Sequence, residues 1–417
     1  MQYLSGIRNS KSEDQVGSKR KSRKFFLALL ITIFIIGADF TYQRLTMPKF
    51  RFATQELEHI VTDIVKNNKL IKNCALYVAR GDGTFNWSGA AGIANQAGQI
   101  PMTKDTPIYL ASITKIYIAV TVMKLYEQGT LRLDDPVSKY LPQELIHGLN
   151  VYQGHDYSDE ITIEQLLSHT SGIPDYYDEK GKNGKTLFEI FKDDQQRNWS
   201  VEDQIAWVRN DLISRSMPGE EAFYSDTNYQ LLGKIIEART GKPLQTVLSE
   251  FLFIPLNLSH TWLVGHTSLQ GKSSVIVAEV FSGDENITKM RSSTFYWADG
   301  GIVSTTEDEV MFLKALNEGR IIKPATLELM HHWIPIKNTG PFKYGFGTME
   351  IKVPSVIGGT VDTLSLWGHT GSTGSFLYYS PGKDLYITGT INQTNENITA
   401  FFWMIKAIKV VAEAKNF

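Results

Sequence analysis

The sequence predicts an α+β fold, a sheet that takes strands from both ends of the chain with a helix-rich segment between them. Strand-like runs at 74–80 and 84–94 meet across Gly81-Asp82-Gly83, a strong hairpin signal. Helical patterns then recur over 161–252, and strand-like runs return at 344–351, 375–380 and 385–390.

From the N-terminus, residues 1–24 form a basic segment carrying Arg8, Lys11, Lys19, Arg20, Lys21, Arg23 and Lys24, and residues 25–38 are apolar throughout. That order directs export. The long basic flank favours an uncleaved signal anchor over 25–40, although the apolar run is short for the roughly 20 residues a bilayer core prefers. Ile36-Gly37-Ala38 would also serve as a signal-peptidase site. The folded part is therefore expected outside the cytoplasm, tethered to the membrane through Phe25 to Phe40, or secreted if the segment is cleaved.

Residues 41–50 read as a tether with Pro48, and the domain is taken as 51–417. It opens with a helix over 53–69, spaced through Leu57, Ile60, Val61 and Ile64. After the hairpin, residues 112–128 are rich in apolar side chains and end at Gly129, the signature of a buried helix with a glycine C-cap. A helical lobe over about 126–290 follows, with helices around 164–169, 201–210, 228–240 and 244–253, and a last helix runs over 398–414.

Composition narrows the function. The 417 residues are 42% hydrophobic and 11% aromatic, enough to bury one sizeable domain or two lobes. A net charge of −2 gives no general attraction to nucleic acid. The single cysteine, Cys74, excludes an intramolecular disulfide and a thiolate zinc cage, and its apolar neighbours read it as a small buried hydrophobe. The histidines lack a His-x-x-x-His spacing, which argues against zinc, and there is no Gly-x-Ser-x-Gly elbow.

Chemistry enters at Ser112-Ile113-Thr114-Lys115. A three-residue offset puts both side chains on one helix face, and a lysine partly removed from water can act as base for a serine hydroxyl. Alone this pairing is weak. It gains context from Leu166-Leu167-Ser168-His169-Thr170-Ser171-Gly172-Ile173-Pro174, from Pro218 through Tyr224-Ser225-Asp226-Thr227-Asn228-Tyr229, from Asp299-Gly300-Gly301-Ile302 and from Gly368-His369-Thr370-Gly371. With these landmarks the chain resembles serine hydrolases related to class C β-lactamases and D-alanyl-D-alanine carboxypeptidases, from about residue 52 to the C-terminus.

The resemblance implies a β-lactamase/transpeptidase-like fold, an antiparallel sheet flanked by helices and joined to a helical lobe, with the site in the cleft between. It implies Ser112 as nucleophile, Lys115 and Tyr224 as proton-transfer partners, the N–H groups of Ser112 and Ser372 as oxyanion hole, and Asp226, His369, Thr370 and Gly371 as substrate-binding residues. Gly371 and Gly374 would let an edge strand approach substrate. His169 is read as structural. No metal or cofactor is implied.

Two positions depart from the family pattern. Asp226 stands where an asparagine is common; ionised, it can only accept hydrogen bonds, and it would pair with Lys115, hold it protonated and favour Tyr224 as base. His369 replaces a common lysine, so the fixed positive charge there is missing or pH-dependent. The expected substrate is a small peptide or ester, a peptidoglycan stem peptide among them. A D-alanyl-D-alanine carboxypeptidase or D-amino-acid peptidase is expected first, then an esterase, then a β-lactamase, with a non-enzymatic peptidoglycan-binding protein as the alternative of another class.

Overall fold

The computed structural model describes residues 50–194, 197–265, 275–291, 293–337, 342–355 and 363–414. The basic segment, the expected anchor over 25–40 and the tether up to residue 49 lie outside the described residues; among those, no helix is long and apolar enough to cross a membrane. The chain divides into a small unit, Met1–Glu56 with Ala414–Phe417, and a large one, Leu57–Glu413. In the small unit the described residues begin helix α1 (Arg51–Asn67), where the Thr54 amide and hydroxyl both donate to the Phe50 carbonyl.

The large unit is built on a nine-stranded sheet. Strands β1 (Asn73–Arg80), β2 (Asn86–Asn95) and β3 (Ile100–Pro101) come from the N-terminal side. β7 (Ile334–Pro335), β8 (Lys343–Tyr344), β9 (Met349–Val353), β10 (Leu364–Gly371), β11 (Ser375–Ser380) and β12 (Leu385–Thr390) come from the C-terminal side. The order is β7-β8-β9-β10-β11-β12-β1-β2-β3, every neighbouring pair antiparallel. The two chain ends meet where β1 lies beside β12, with Ala75 opposite Thr390. β1 is buried along its whole length because helices cover both sheet faces, which explains its unbroken apolar run. Within it the Cys74 thiol donates to the Val61 carbonyl of α1 at 3.4 Å, and burial pushes it up to about 12, so it is inert at neutral pH. A second, three-stranded sheet joins β4 (Ile108–Tyr109), β6 (Ile302–Ser304) and β5 (Trp262–Leu263).

Helix α2 (Thr114–Glu127) is buried on almost every face, as its breaker-free apolar sequence requires. The helical lobe contains α3 (Ile163–Leu167), α4 (Val201–Asp211), α5 (Asp226–Thr240) and α6 (Leu244–Leu248). α3 and α4 start from reciprocal capping boxes, Thr162 with Gln165 and Ser200 with Asp203. Two further helices pack on the sheet: α7 (Thr306–Asn317), which the sequence reading did not anticipate, and α8 (Asn397–Glu413).

Two expectations are corrected. The run 344–351 is not one strand. It folds back between β8 and β9, where Gly347 at φ 69° takes a left-handed turn conformation and Gly345 N–H bonds Thr348 O at 2.9 Å. As a result, β10, which ends in His369-Thr370-Gly371, is an interior strand rather than an edge, because β7, β8 and β9 continue the sheet beyond it.

Candidate active site

Ser112 sits in a 3₁₀ turn, Ala111–Ile113, at the head of α2. Ala111 has φ 50°, a left-handed conformation that costs an L-residue on the order of 1 kcal/mol and persists only where neighbours over-determine it. They do so here. Leu110 N–H bonds Ile302 O at 2.9 Å, and the hydroxyls of Thr373 and Ser375 donate to Tyr109 O at 3.1 Å and Leu110 O at 2.9 Å. The end of β10 is thereby clamped against the turn. A Cβ on Gly371 would lie 2.4 Å from Leu110 O and 2.2 Å from Ser375 Oγ, so this approach needs a glycine.

Lys115 follows one turn later with no exposed surface. Its Nζ donates to Ser112 Oγ at 3.1 Å and to Asp299 O at 2.7 Å, and it lies 2.5 Å from Asp226 Oδ1. Burial acts to lower its pKa, but the charges of Asp226, Tyr224 and Asp299 outweigh it and the net shift is upward. Lys115 is therefore an ammonium at rest, as expected from the presence of Asp226.

Tyr224 is half-buried, with its ring centroid 5.1 Å from Lys115 Nζ, and its phenol feels both Lys115 and Ser112. Burial raises the phenol, Lys115 pulls it down and Asp226 pushes it up, leaving it above its ordinary value and protonated. His169 holds this segment in place. Its ring lies against Tyr224 with centroids 4.4 Å apart, its Nδ1 accepts from Ser225 N–H at 3.1 Å, and its carbonyl accepts from Phe223 N–H at 2.9 Å. Asp226 opens α5; its N–H bonds Asp175 Oδ1 at 3.1 Å, and Thr227 Oγ1 bonds Pro174 O at 2.8 Å. The Ser168–Pro174 phrase and the Tyr224–Asn228 phrase are thus two halves of one hydrogen-bonded unit.

The third landmark supplies a carbonyl to Lys115 from Asp299, whose carboxylate accepts from Tyr176 OH at 2.6 Å and Trp297 N–H at 3.1 Å. Carboxyls gather around this centre. Burial and Asp226 push Asp299 up to about 6 against the pull of Lys115, and they push Asp178 to about 6 as well.

His369 does not line the cleft. It is fully buried behind the wall, where its Nδ1 donates to Thr370 O at 2.6 Å and its Nε2 accepts from Tyr344 OH at 3.0 Å. Burial, aided by Lys115, lowers it to about 3, so the ring is neutral throughout the ordinary pH range. Ser112, Tyr224, Asp226, Thr370, Gly371 and Ser372 do line one cavity of about 560 Å³. Arg291 and Asp178 share that cavity, as do Phe401 and Met404 of α8. Sequence reasoning missed all four, since none belongs to a spaced motif.

Comparison with known proteins bears on the family and the fold. The family model described as Beta-lactamase matches residues 67–401. A protein of Escherichia coli O157:H7 named "Putative D-alanyl-D-alanine carboxypeptidase" is 25% identical over 373 residues, covering 80% of this chain and 78% of its own length. A D-stereospecific amidohydrolase from Streptomyces sp. has the same fold, with TM-score 0.65 and 24% identity over 82% of this chain and 94% of its own. The octameric penicillin-binding protein homologue from Pyrococcus abyssi superposes with TM-score 0.64 and 26% identity over 80% of this chain and 72% of its own.

Asp226 raises both Lys115 and Tyr224, so their base forms appear only as pH rises. Replacing it by Asn lowers both. The pH at which acylation of Ser112 by a 4-nitrophenyl ester reaches half its maximum rate should therefore move toward acid in Asp226→Asn. An unmoved profile would remove Asp226 from this role.

Proposed function

Because the chain belongs to the Beta-lactamase family, we propose that it is a serine hydrolase that opens amide or ester carbonyls through an acyl-enzyme on Ser112. The observation that carries this reading is the position of Lys115 Nζ, 3.1 Å from Ser112 Oγ, with Tyr224 facing both. In the fraction in which the pair has lost one proton, leaving a Tyr224 phenolate beside the Lys115 ammonium, Ser112 Oγ attacks the carbonyl carbon and its proton passes to Tyr224, which delivers it to the leaving nitrogen or oxygen. The amides of Ser112 and Ser372 receive the oxyanion, worth about 3–4 kcal/mol per donor in related chemistry. Water then attacks the ester along the reverse proton route and frees Ser112. Asp226, 2.5 Å from Nζ, keeps Lys115 an ammonium and so leaves Tyr224 as the base of the pair.

The preferred substrates are D-alanyl-D-alanine peptides or related D-amino-acid peptides, in keeping with the Escherichia coli relative. A panel of N-acyl-D-alanyl-D-alanine, short-chain 4-nitrophenyl esters and a chromogenic cephalosporin tests this. The expected outcome is release of D-alanine, reduced at least about 10³-fold in Ser112→Ala. Turnover of esters alone would replace the peptidase by an esterase, and inactivity on the whole panel would favour a peptidoglycan-binding protein.

Residues 25–40 are proposed as an uncleaved anchor that leaves the catalytic domain outside the cytoplasm, supported by the basic-then-apolar order of the sequence. In sealed, right-side-out vesicles, added protease should digest the domain; full protection would reverse the topology.

A further inference from the structure

One wall of the cavity is apolar, and an alanine methyl group would cover little of it. Met349 and Ile351 lie two residues apart on β9 and share a sheet face. Met349 stands opposite Gly368 of β10, Thr370 follows Gly368 by two, and Thr370 stands opposite Phe376 of β11. Met349, Ile351, Thr370 and Phe376 therefore point to one side of the sheet. Helix α8 packs on that side, with the Trp403 and Phe376 ring centroids 5.9 Å apart, and it adds Phe401 and Met404 to the same cavity. The mechanism above uses none of these apolar side chains. An apolar ligand group laid against them would displace water that gains nothing by staying there.

The apolar surface does not stop at the cavity. Ile398, in the first turn of α8, lines both the cavity and a neighbouring groove of about 480 Å³ between α8 and α1. Ile60 and Ile64 of α1 line that groove together with Phe402 and Trp403 of α8, and Asp63 and Lys406 make its surface amphipathic. Ile398 is 75% exposed and Phe402 53%. Four residues apart on a helix, the two stand on one face. Single exposed apolar side chains are ordinary; a pair that joins a catalytic cavity to a second apolar groove marks a binding surface. A ring would fill the first cavity alone, whereas a thin, flexible chain can run past Ile398 and occupy both.

We propose that the apolar wall of the cavity and the α1–α8 groove form one subsite for a linear alkyl chain, so that the substrate is an amphiphile, a peptide or ester bearing a medium or long chain. This inference names the substrate class and rests on the acyl-enzyme reading of the same cleft. The chemistry at Ser112 is unchanged; the chain contributes binding remote from the scissile bond. Each methylene buried along the track should improve binding about fourfold.

The test uses the full chain in phospholipid nanodiscs, as wild type, Ile398→Asp and Phe402→Ser, with labelling of Ser112 by a small fluorophosphonate as the check on each site. Two series are compared: 4-nitrophenyl esters from acetate to octanoate, and N-acetyl-D-alanine esters from methyl to octyl. In the wild type, kcat/KM should rise about 100-fold along at least one series, and the series that responds shows which side of the scissile bond bears the chain. Each variant should cut that rise about tenfold; partitioning into the membrane is common to wild type and variants and cancels. A flat or falling response in both series, or variants that lose short and long substrates equally, would overturn the subsite. A binding arm needs no turnover. In Ser112→Ala, measured against empty nanodiscs, methyl N-decanoyl-D-alaninate or decyl N-acetyl-D-alaninate should bind about 100-fold more tightly than methyl N-acetyl-D-alaninate. Adding Phe402→Ser should shrink the difference about tenfold. Length-independent binding would leave the groove to another occupant, such as the chain's own apolar residues 25–38, and would sink the subsite even if Ser112 labels normally. Chain-selective binding with failed labelling of wild-type Ser112 would count against the hydrolase reading alone.

Discussion

A lysine ammonium with no contact to water holds this site together. Lys115 reaches oxygens from three distant stretches of chain: the hydroxyl of Ser112, the carboxylate of Asp226 at the start of α5, and the carbonyl of Asp299. A buried ammonium with any of these missing would carry an uncompensated charge, so the three segments are obliged to converge. Each brings its own support. Asp226 is fastened to Asp175, Asp299 to Tyr176, and Ser112 lies within a strained turn pinned by hydroxyls from beyond β10.

The same convergence sets the resting protonation state. Asp226 compensates the ammonium so well that Lys115 is not a free base, and Tyr224, half-buried and pushed up by Asp226, is not a phenolate. On the proposed mechanism, hydrolysis proceeds through a minor protonation state that alkaline pH enriches, and the site gives up some resting reactivity for a geometry in which the proposed nucleophile, proton carrier and phenol are fixed before substrate arrives.

Much of this was legible in the sequence where one element carries the chemistry. The Ser112–Lys115 offset, the glycine that ends α2, and β11 and β12 all depend on local periodicity, and the structure reproduces them closely. The pairing of Asp226 with Lys115 was also legible, because a carboxylate at that place has one evident partner. Features fixed by tertiary packing were not. The run 344–351 has the composition of a single strand, and only the left-handed Gly347 turns it into a hairpin. His369 reads as a cleft residue, yet burial beside Tyr344 turns it inward. Arg291 and the α8 wall reach the cavity from segments whose spacing bears no relation to the motifs.

The central claim is that Ser112 is an activated nucleophile in a preorganised site, and covalent labelling tests it most directly. A fragment from about residue 50 onward would be exposed to a fluorophosphonate and separately to penicillin, with peptide mass spectrometry locating the adduct and Ser112→Ala as control. The account predicts one adduct, on Ser112, with both reagents and none in the variant. Absence of an adduct in the folded wild type, or an adduct that persists in Ser112→Ala, would contradict it.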